Sequence, residues 1–297
     1  MAKFGRLLTA MVTPFDRDNK VNYRQAAEFA RWLAANGSDG LVVAGSTGEA
    51  ATMTIKERLQ LFTTVLEAVG DKCPVIAGAG TNDTAATVEL SRQVAALGVH
   101  GLLLVAPYYN KPSQEGLYRH FAAAAEAVAE TPIIVYNVPG RTNVNISAET
   151  TLRLAAIKNI VAVKEASGNL EQMGEIIRNA PADFIFYSGD DGLLLPVLAI
   201  GGYGVISVAS NIAGPQMQAM IAAYLAGDNA KAAACHLALL PLFKAMFITT
   251  NPTPVKAAVN LLGIDVGDVR LPLVPPRPQE LAVIKEEMVR AGLSVKY

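Results

Sequence analysis

The chain has 297 residues, 52% hydrophobic and 17% charged, with 25 Lys and Arg against 26 Asp and Glu and a formal net charge of −1. That length fits one α/β barrel of about 250 residues with an appendage, and the composition excludes a disordered chain. With no run of five or six like charges there is no field to hold a polyanion, so nucleic acid is not an expected partner.

Residues 1–13 carry Lys3 and Arg6 but only a short apolar stretch, broken by Thr9 before Pro14. They lack the apolar centre of a secretory signal, and a cytoplasmic protein is expected. Short apolar, β-branched runs then recur at residues 7–12, 41–44, 75–77, 102–105, 133–136, 160–163, 184–187 and 205–208. Between them lie segments with apolar residues at three- and four-residue spacing, such as Phe29, Trp32 and Leu33 or Leu59, Phe62 and Leu66, which predict amphipathic helices. Thr54 and Glu57 fit a capping box, and Ser113, Ser147 and Asn169 are similar helix openings. Residues 192–227 hold no charge and exceed the roughly 20 residues of a membrane span. Gly192, Gly201, Gly202, Gly204, Gly214, Pro196 and Pro215 cut the stretch into ordinary helix, turn and strand pieces, so no span is predicted.

Strands apolar on both faces, each followed by a helix, imply a parallel sheet covered by helices, and eight such units close into a (β/α)8 TIM barrel. The barrel is expected over residues 1–227. A C-terminal helical domain over 228–297 follows, because residues 215–226, 229–247, 254–262 and 278–291 read as helices around a Pro-rich connector. Cys73 and Cys235 form no CxxC pair and are expected to be buried small hydrophobes. His100, His120 and His236 fall away from the strand ends and are expected to be structural, so no metal site is predicted.

In such a barrel the carboxyl ends of the strands build the site, so the polar residues just past each apolar run are informative. Lys164 directly follows the run 160–163. Its stem lies in a desolvated barrel, which lowers an ammonium pKa, and a neutral amine forms Schiff bases with carbonyl substrates. The alternative is a structural lysine paired with Glu165 or Asp190. Tyr136 ends the neighbouring strand and suits proton transfer, or is a core tyrosine with a satisfied hydroxyl. Ser46 and Thr47, between Gly45 and Gly48, offer hydroxyls and backbone N–H groups to a carboxylate, or form a plain glycine-rich turn. Arg141, on the loop after Tyr136, has the planar fork for a substrate carboxylate unless it is simply exposed. Asp190 and Asp191 are adjacent and diverge, which speaks against a divalent cation. Neither a P-loop nor a Gly-x-Ser-x-Gly elbow occurs, so phosphate and acyl-serine chemistry lose support.

Together, residues 45–49, 107–116, 136–142, 164–168, 188–191 and 251–256 resemble the synthase branch of the dihydrodipicolinate synthase and N-acetylneuraminate lyase superfamily of lysine-dependent pyruvate aldolases. The resemblance covers nearly the whole chain. It implies that Lys164 forms a Schiff base with pyruvate and that the enamine attacks L-aspartate 4-semialdehyde, with no cofactor beyond that covalent bond. It also implies a proton relay of Tyr136, Ser46 and Tyr109, the last supplied by the adjacent subunit of a homotetramer. Thr47 and the backbone near Ile206 would contact pyruvate, Arg141 would hold the semialdehyde carboxylate, and Gly189 and Asp190 would lie near its amino end.

Two departures from the family's pattern stand out. Ser46 occupies a relay position more often held by Thr, which keeps the hydroxyl but frees χ1. Ala86 and Ile55 stand where lysine-inhibited synthases present a carboxylate and a polar residue, so weak or absent inhibition by L-lysine is expected although Tyr108 and Asn82 remain. The rival readings are another pyruvate aldolase of the superfamily, such as N-acetylneuraminate lyase, a catalytically silent keto-acid binder, and a phosphate-binding barrel isomerase.

Overall fold

The computed structural model describes residues 4–296. The eight apolar runs become β1 (Leu7–Ala10), β2 (Gly40–Val43), β3 (Val75–Gly78), β4 (Gly101–Val105), β5 (Ile133–Asn137), β6 (Ile160–Glu165), β7 (Ile185–Ser188) and β8 (Gly204–Ser207). Each pairs in parallel with the next, and β8 pairs with β1 to close the barrel. Because side chains alternate along a strand, Leu8, Val42, Ile76, Leu103, Ile134, Ala162 and Ile206 fill the interior. Leu7, Leu41, Val75, Leu102 and Ile133 belong instead to the larger cluster formed with the helices. Both faces are buried, which is why these strands read as continuous apolar runs rather than alternating ones.

The intervening helices are α1 (Tyr23–Ala35), α2 (Ile55–Val69), α3 (Thr84–Ala95), α4 (Gln114–Ala127), α5 (Pro139–Thr142), α6 (Ala148–Ala155), α7 (Leu170–Asn179), α8 (Leu194–Ala199) and α9 (Ser210–Leu225). Their starts follow local chemistry: the Glu57 N–H donates to Thr54 Oγ1 at 3.2 Å while the Thr54 N–H donates to Glu57 Oε2 at 2.8 Å. Ser113, Ser147 and Asn169 cap α4, α6 and α7 with side-chain oxygens that accept backbone N–H groups of the first turn. The charge-free stretch resolves into α8, β8 and α9, and among the described residues no helix is long and apolar enough to cross a membrane. Helix α9 begins five residues before the Pro215 start expected from sequence, because a turn at Ser210 continues across a kink at Ala213 (φ −125°).

One irregularity positions the site. β5 and β6 pair as Ile133↔Ile160 and then Ile134↔Ala162, so one residue of β6 bulges out. Without it Tyr136 would face Val163; with it Tyr136 lies opposite Lys164, which in turn lies opposite Tyr187 of β7. The bulge also carries the ladder out to Glu165, beyond the residue where the apolar run ends.

After Gly227 the chain forms a helical extension of α10 (Asn229–Ala245), α11 (Thr253–Leu261) and α12 (Pro278–Arg290). Leu239, Phe243, Val255, Val259, Ile284 and Met288 share one apolar cluster with Met11, Val12 and Phe29 of the barrel. Cys73 is buried, but Cys235 is only half-buried, because its stretch of α10 is flanked by exposed Leu237 and Ala238; this corrects the expectation for it. An ion pair locks the extension to the barrel mouth. Lys256 Nζ donates to Glu49 Oε1 at 3.0 Å and to the Asp268 carbonyl at 2.7 Å, with both side chains only 2% exposed, while Glu49 Oε2 accepts the Arg270 N–H. Removing one member of a buried pair strands the other charge, which costs about 3–5 kcal/mol. Lys256→Met is therefore expected to lose about that much in urea unfolding, and adding Glu49→Gln to recover part of it; a loss below about 1 kcal/mol in the single variant would contradict the assignment.

Candidate active site

The row of side chains created by the bulge lies at the carboxyl end of the barrel. Lys164 is 5% exposed, its Nζ sits 4.3 Å from the Tyr136 ring centroid, and it makes no hydrogen bond or ion pair among the described residues. Burial pulls the amine down to about 7; the Asp191 charge works the other way and Arg141 reinforces the fall. Pairing with Glu165 or Asp190 does not occur. Glu165 accepts hydrogen bonds from Asn137 Nδ2, the Ser167 N–H and Gln172 Nε2. Asp190 is exposed and accepts the Gly192 N–H at 2.8 Å.

Tyr136 is equally buried, which pushes its phenol up to about 12, with Arg141 and a hydrogen bond to the Ser46 hydroxyl pulling in the opposite direction. The phenol thus keeps its proton at neutral pH next to an amine that readily loses one. Tyr136, Ser46 and Arg141 also line a cavity of about 370 Å³, together with Asn251, Tyr108 and Arg58. Arg58 is 7% exposed and donates to the Gly78 carbonyl, which places a cation on the cavity wall.

Thr47 is 3% exposed and its Oγ1 accepts from Asn251 Nδ2 at 3.0 Å. Arg141 lies on α5 and donates from Nη2 to the Asn251 carbonyl at 3.1 Å. Ile206 is fully buried in the barrel interior, in register with Leu8. The structure thus brings Lys164, Tyr136, Ser46 and Arg141 together, with Thr47 tied to the same loop as Arg141. Tyr109 stands apart from them: it is 88% exposed and holds φ +76°, a left-handed conformation that strains a bulky residue.

The sequence presents Asp191 as one of two diverging carboxylates and as the end of the 188–191 motif; in the structure it is the carboxylate whose charge reaches Lys164. Its Oδ2 accepts the N–H groups of Val208 and Ala209 at 3.2 and 2.8 Å, and burial pushes it up to about 6. The backbone donors lie 17 and 18 residues away, so no local pattern reports them. Glu49 and Lys256 were likewise visible only as parts of motifs, their partnership spanning 207 residues.

Gly189 has a geometric role. A Cβ there would meet Ala166 Cβ at 2.7 Å, the Glu165 carbonyl oxygen at 3.2 Å and Lys164 Cε at 3.2 Å. Gly189→Ala must therefore displace either β6 or the Lys164 stem, at a cost of about 1–3 kcal/mol. The expected result is a thermal midpoint lowered by several degrees and a slower reaction of Lys164 with carbonyl reagents; an unchanged rate would mean that the stem is free to move.

Comparison with known proteins points to one family. Residues 3–290 match the model of the dihydrodipicolinate synthetase family. A 4-hydroxy-tetrahydrodipicolinate synthase from Moorella thermoacetica is 58% identical over 98% of this chain and 99% of its own. Among solved structures, a dihydrodipicolinate synthase from Bacillus anthracis superposes with a TM-score of 0.95 at 46% identity, covering 97% of this chain and 99% of the other. The enzyme from Cyanidioschyzon merolae with lysine bound gives 0.96 at 48% identity, covering 98% and 99%. On the strength of a match that runs through the whole barrel and its extension, this chain belongs to the dihydrodipicolinate synthetase family.

Proposed function

We propose that the chain condenses pyruvate with L-aspartate 4-semialdehyde to 4-hydroxy-tetrahydrodipicolinate and water, through a Schiff base on Lys164. The observation that carries this reading is the buried, unpaired Lys164 amine over Tyr136, held near 7 at the barrel mouth. The neutral amine adds to the keto carbon of pyruvate, and loss of water gives an iminium that withdraws electrons from the methyl carbon. A methyl proton leaves, and the enamine carbon bonds to the aldehyde carbon of the semialdehyde, whose oxygen takes up a proton. The substrate's own amine then attacks the iminium carbon and closes the ring, releasing Lys164 as the free amine.

Tyr136 supplies and recovers protons in this sequence because its phenol stays protonated at neutral pH and meets the Ser46 hydroxyl. Arg141 pairs with the semialdehyde carboxylate at the cavity, and Thr47 and the end of β8 near Ile206 receive pyruvate. Gly189 and Asp190 lie beside the semialdehyde's amino end. Tyr109 completes the relay in a neighbouring subunit: its exposure and strained backbone suit a side chain projected out of its own chain. The reading therefore includes a homotetramer in which sites are shared in pairs, working in the cytoplasm without an external cofactor. The Moorella relative bears the synthase name, which favours this reaction over the cleavage of N-acetylneuraminate.

Steady-state turnover of the two substrates is expected to fall to background in Lys164→Ala. Ser46→Ala is expected to lose about 10- to 100-fold in kcat and Ser46→Thr less than about threefold, since the hydroxyl alone serves the relay. Equal damage from both Ser46 variants would remove Ser46 from the relay, and full activity in Lys164→Ala would remove the Schiff base.

Positions 55 and 86 carry an exposed Ile55 and an exposed Ala86, while Arg58 and Tyr108 line the same cavity. An ammonium entering there finds no carboxylate at either position and a cation nearby. Submillimolar L-lysine is expected to leave the rate above half of its uninhibited value; half-inhibition in that range would refute this.

A further inference from the structure

The loop that opens α11 reaches from the extension into the barrel mouth, and one residue on it, through its side chain and its main chain, touches groups assigned to both substrates. Asn251 is 4% exposed. Its Nδ2 donates to Thr47 Oγ1 at 3.0 Å, its backbone carbonyl accepts Arg141 Nη2 at 3.1 Å, and its Oδ1 is buried on the cavity wall without a partner among the described residues. A threonine hydroxyl has one hydrogen to donate and two lone pairs to accept with. Since the amide of Asn251 fills a lone pair, the hydroxyl hydrogen is turned elsewhere, and no described residue accepts it. The Thr47 hydroxyl hydrogen is thereby directed away from Asn251 and left free to donate, in a site expected to receive a carboxylate.

We propose that Asn251 is a positioning residue for substrate carboxylates, orienting the Thr47 hydroxyl as a donor to pyruvate and docking the Arg141 guanidinium through its backbone carbonyl. This rests on the function proposed above and adds the source of its pre-organisation. The support is asymmetric in a testable way: Arg141 is held by the main chain, which substitution retains, whereas Thr47 is held by the side chain, which substitution removes. Behind the loop, the buried pair of Lys256 and Glu49 joins α11 to the segment that carries Thr47, two residues before Glu49. An unmade bond to Oδ1 costs stability; its retention fits a residue whose amide is committed to orienting Thr47 rather than to closing the core.

The test is a double-mutant cycle of Asn251→Ala and Thr47→Val, read as the pyruvate concentration that half-saturates borohydride trapping of the full chain. Asn251→Ala is expected to raise that concentration roughly tenfold with Thr47 present and less than about twofold in the Thr47→Val background, with the maximal trapping rate retained. Asn251→Ser, too short to reach Thr47, is expected to repeat the shift and guards against a folding defect of the alanine variant. A purely structural role gives the same factor in both backgrounds, and that result, or no shift at all, overturns the proposal while leaving the function intact. Absence of any trapped adduct in the unsubstituted protein overturns the function itself, and this proposal with it.

Discussion

The barrel removes the Lys164 ammonium from water and gives it no ion-pair partner, and the arrangement of the mouth follows from that. A full charge in such a place is costly, so the group responds by shedding its proton rather than by recruiting a carboxylate. Glu165, its neighbour in sequence, points out of the barrel into a network with Asn137 and Gln172, which keeps that carboxylate from neutralising the amine directly. Asp191 remains the moderating charge, and its backbone partners near α9 hold it in place. The result is an amine poised near 7, where a strand-end lysine on an exposed edge would stay close to its ordinary value.

Alignment depends on the bulge in β6 as much as on burial. Extra residues in a strand turn its side chains to the other face, and one inserted residue is what sets Lys164 against Tyr136 instead of facing it toward the helices. The rest of the mouth is braced from a distance. Glu49, Thr47 and Arg141 are each held by residues between 251 and 270, so the helical extension is part of the site's support rather than an ornament on it. The Lys256 to Glu49 bond also crosses an apolar region against Phe15, where water cannot compete for either charge.

Much of this was legible in the sequence because strands buried on both faces leave a composition that survives without coordinates. The eight runs and the caps at Thr54, Ser113, Ser147 and Asn169 are local signals, and local signals suffice for local structure. Lys164 was visible because it is the first polar residue after an apolar run. What could not be read was anything set by closure: the register that opposes Tyr136 and Lys164, the backbone donors that hold Asp191, and the bonds of Asn251 to residues more than a hundred positions away. Tyr109 shows the limit from the other side. The place proposed for it in the relay needs a second chain, and within one chain it shows only exposure and backbone strain.

The central claim is that Lys164 is a desolvated amine titrating near neutrality, and the most direct test is the pH dependence of its adduct with pyruvate, trapped by cyanoborohydride and located by peptide mass. The account predicts an adduct on Lys164 whose rate of formation rises as pH passes through about 7 and then levels. A rate that rises only toward pH ~10, where an ordinary lysine titrates, or an adduct on another lysine, would contradict it.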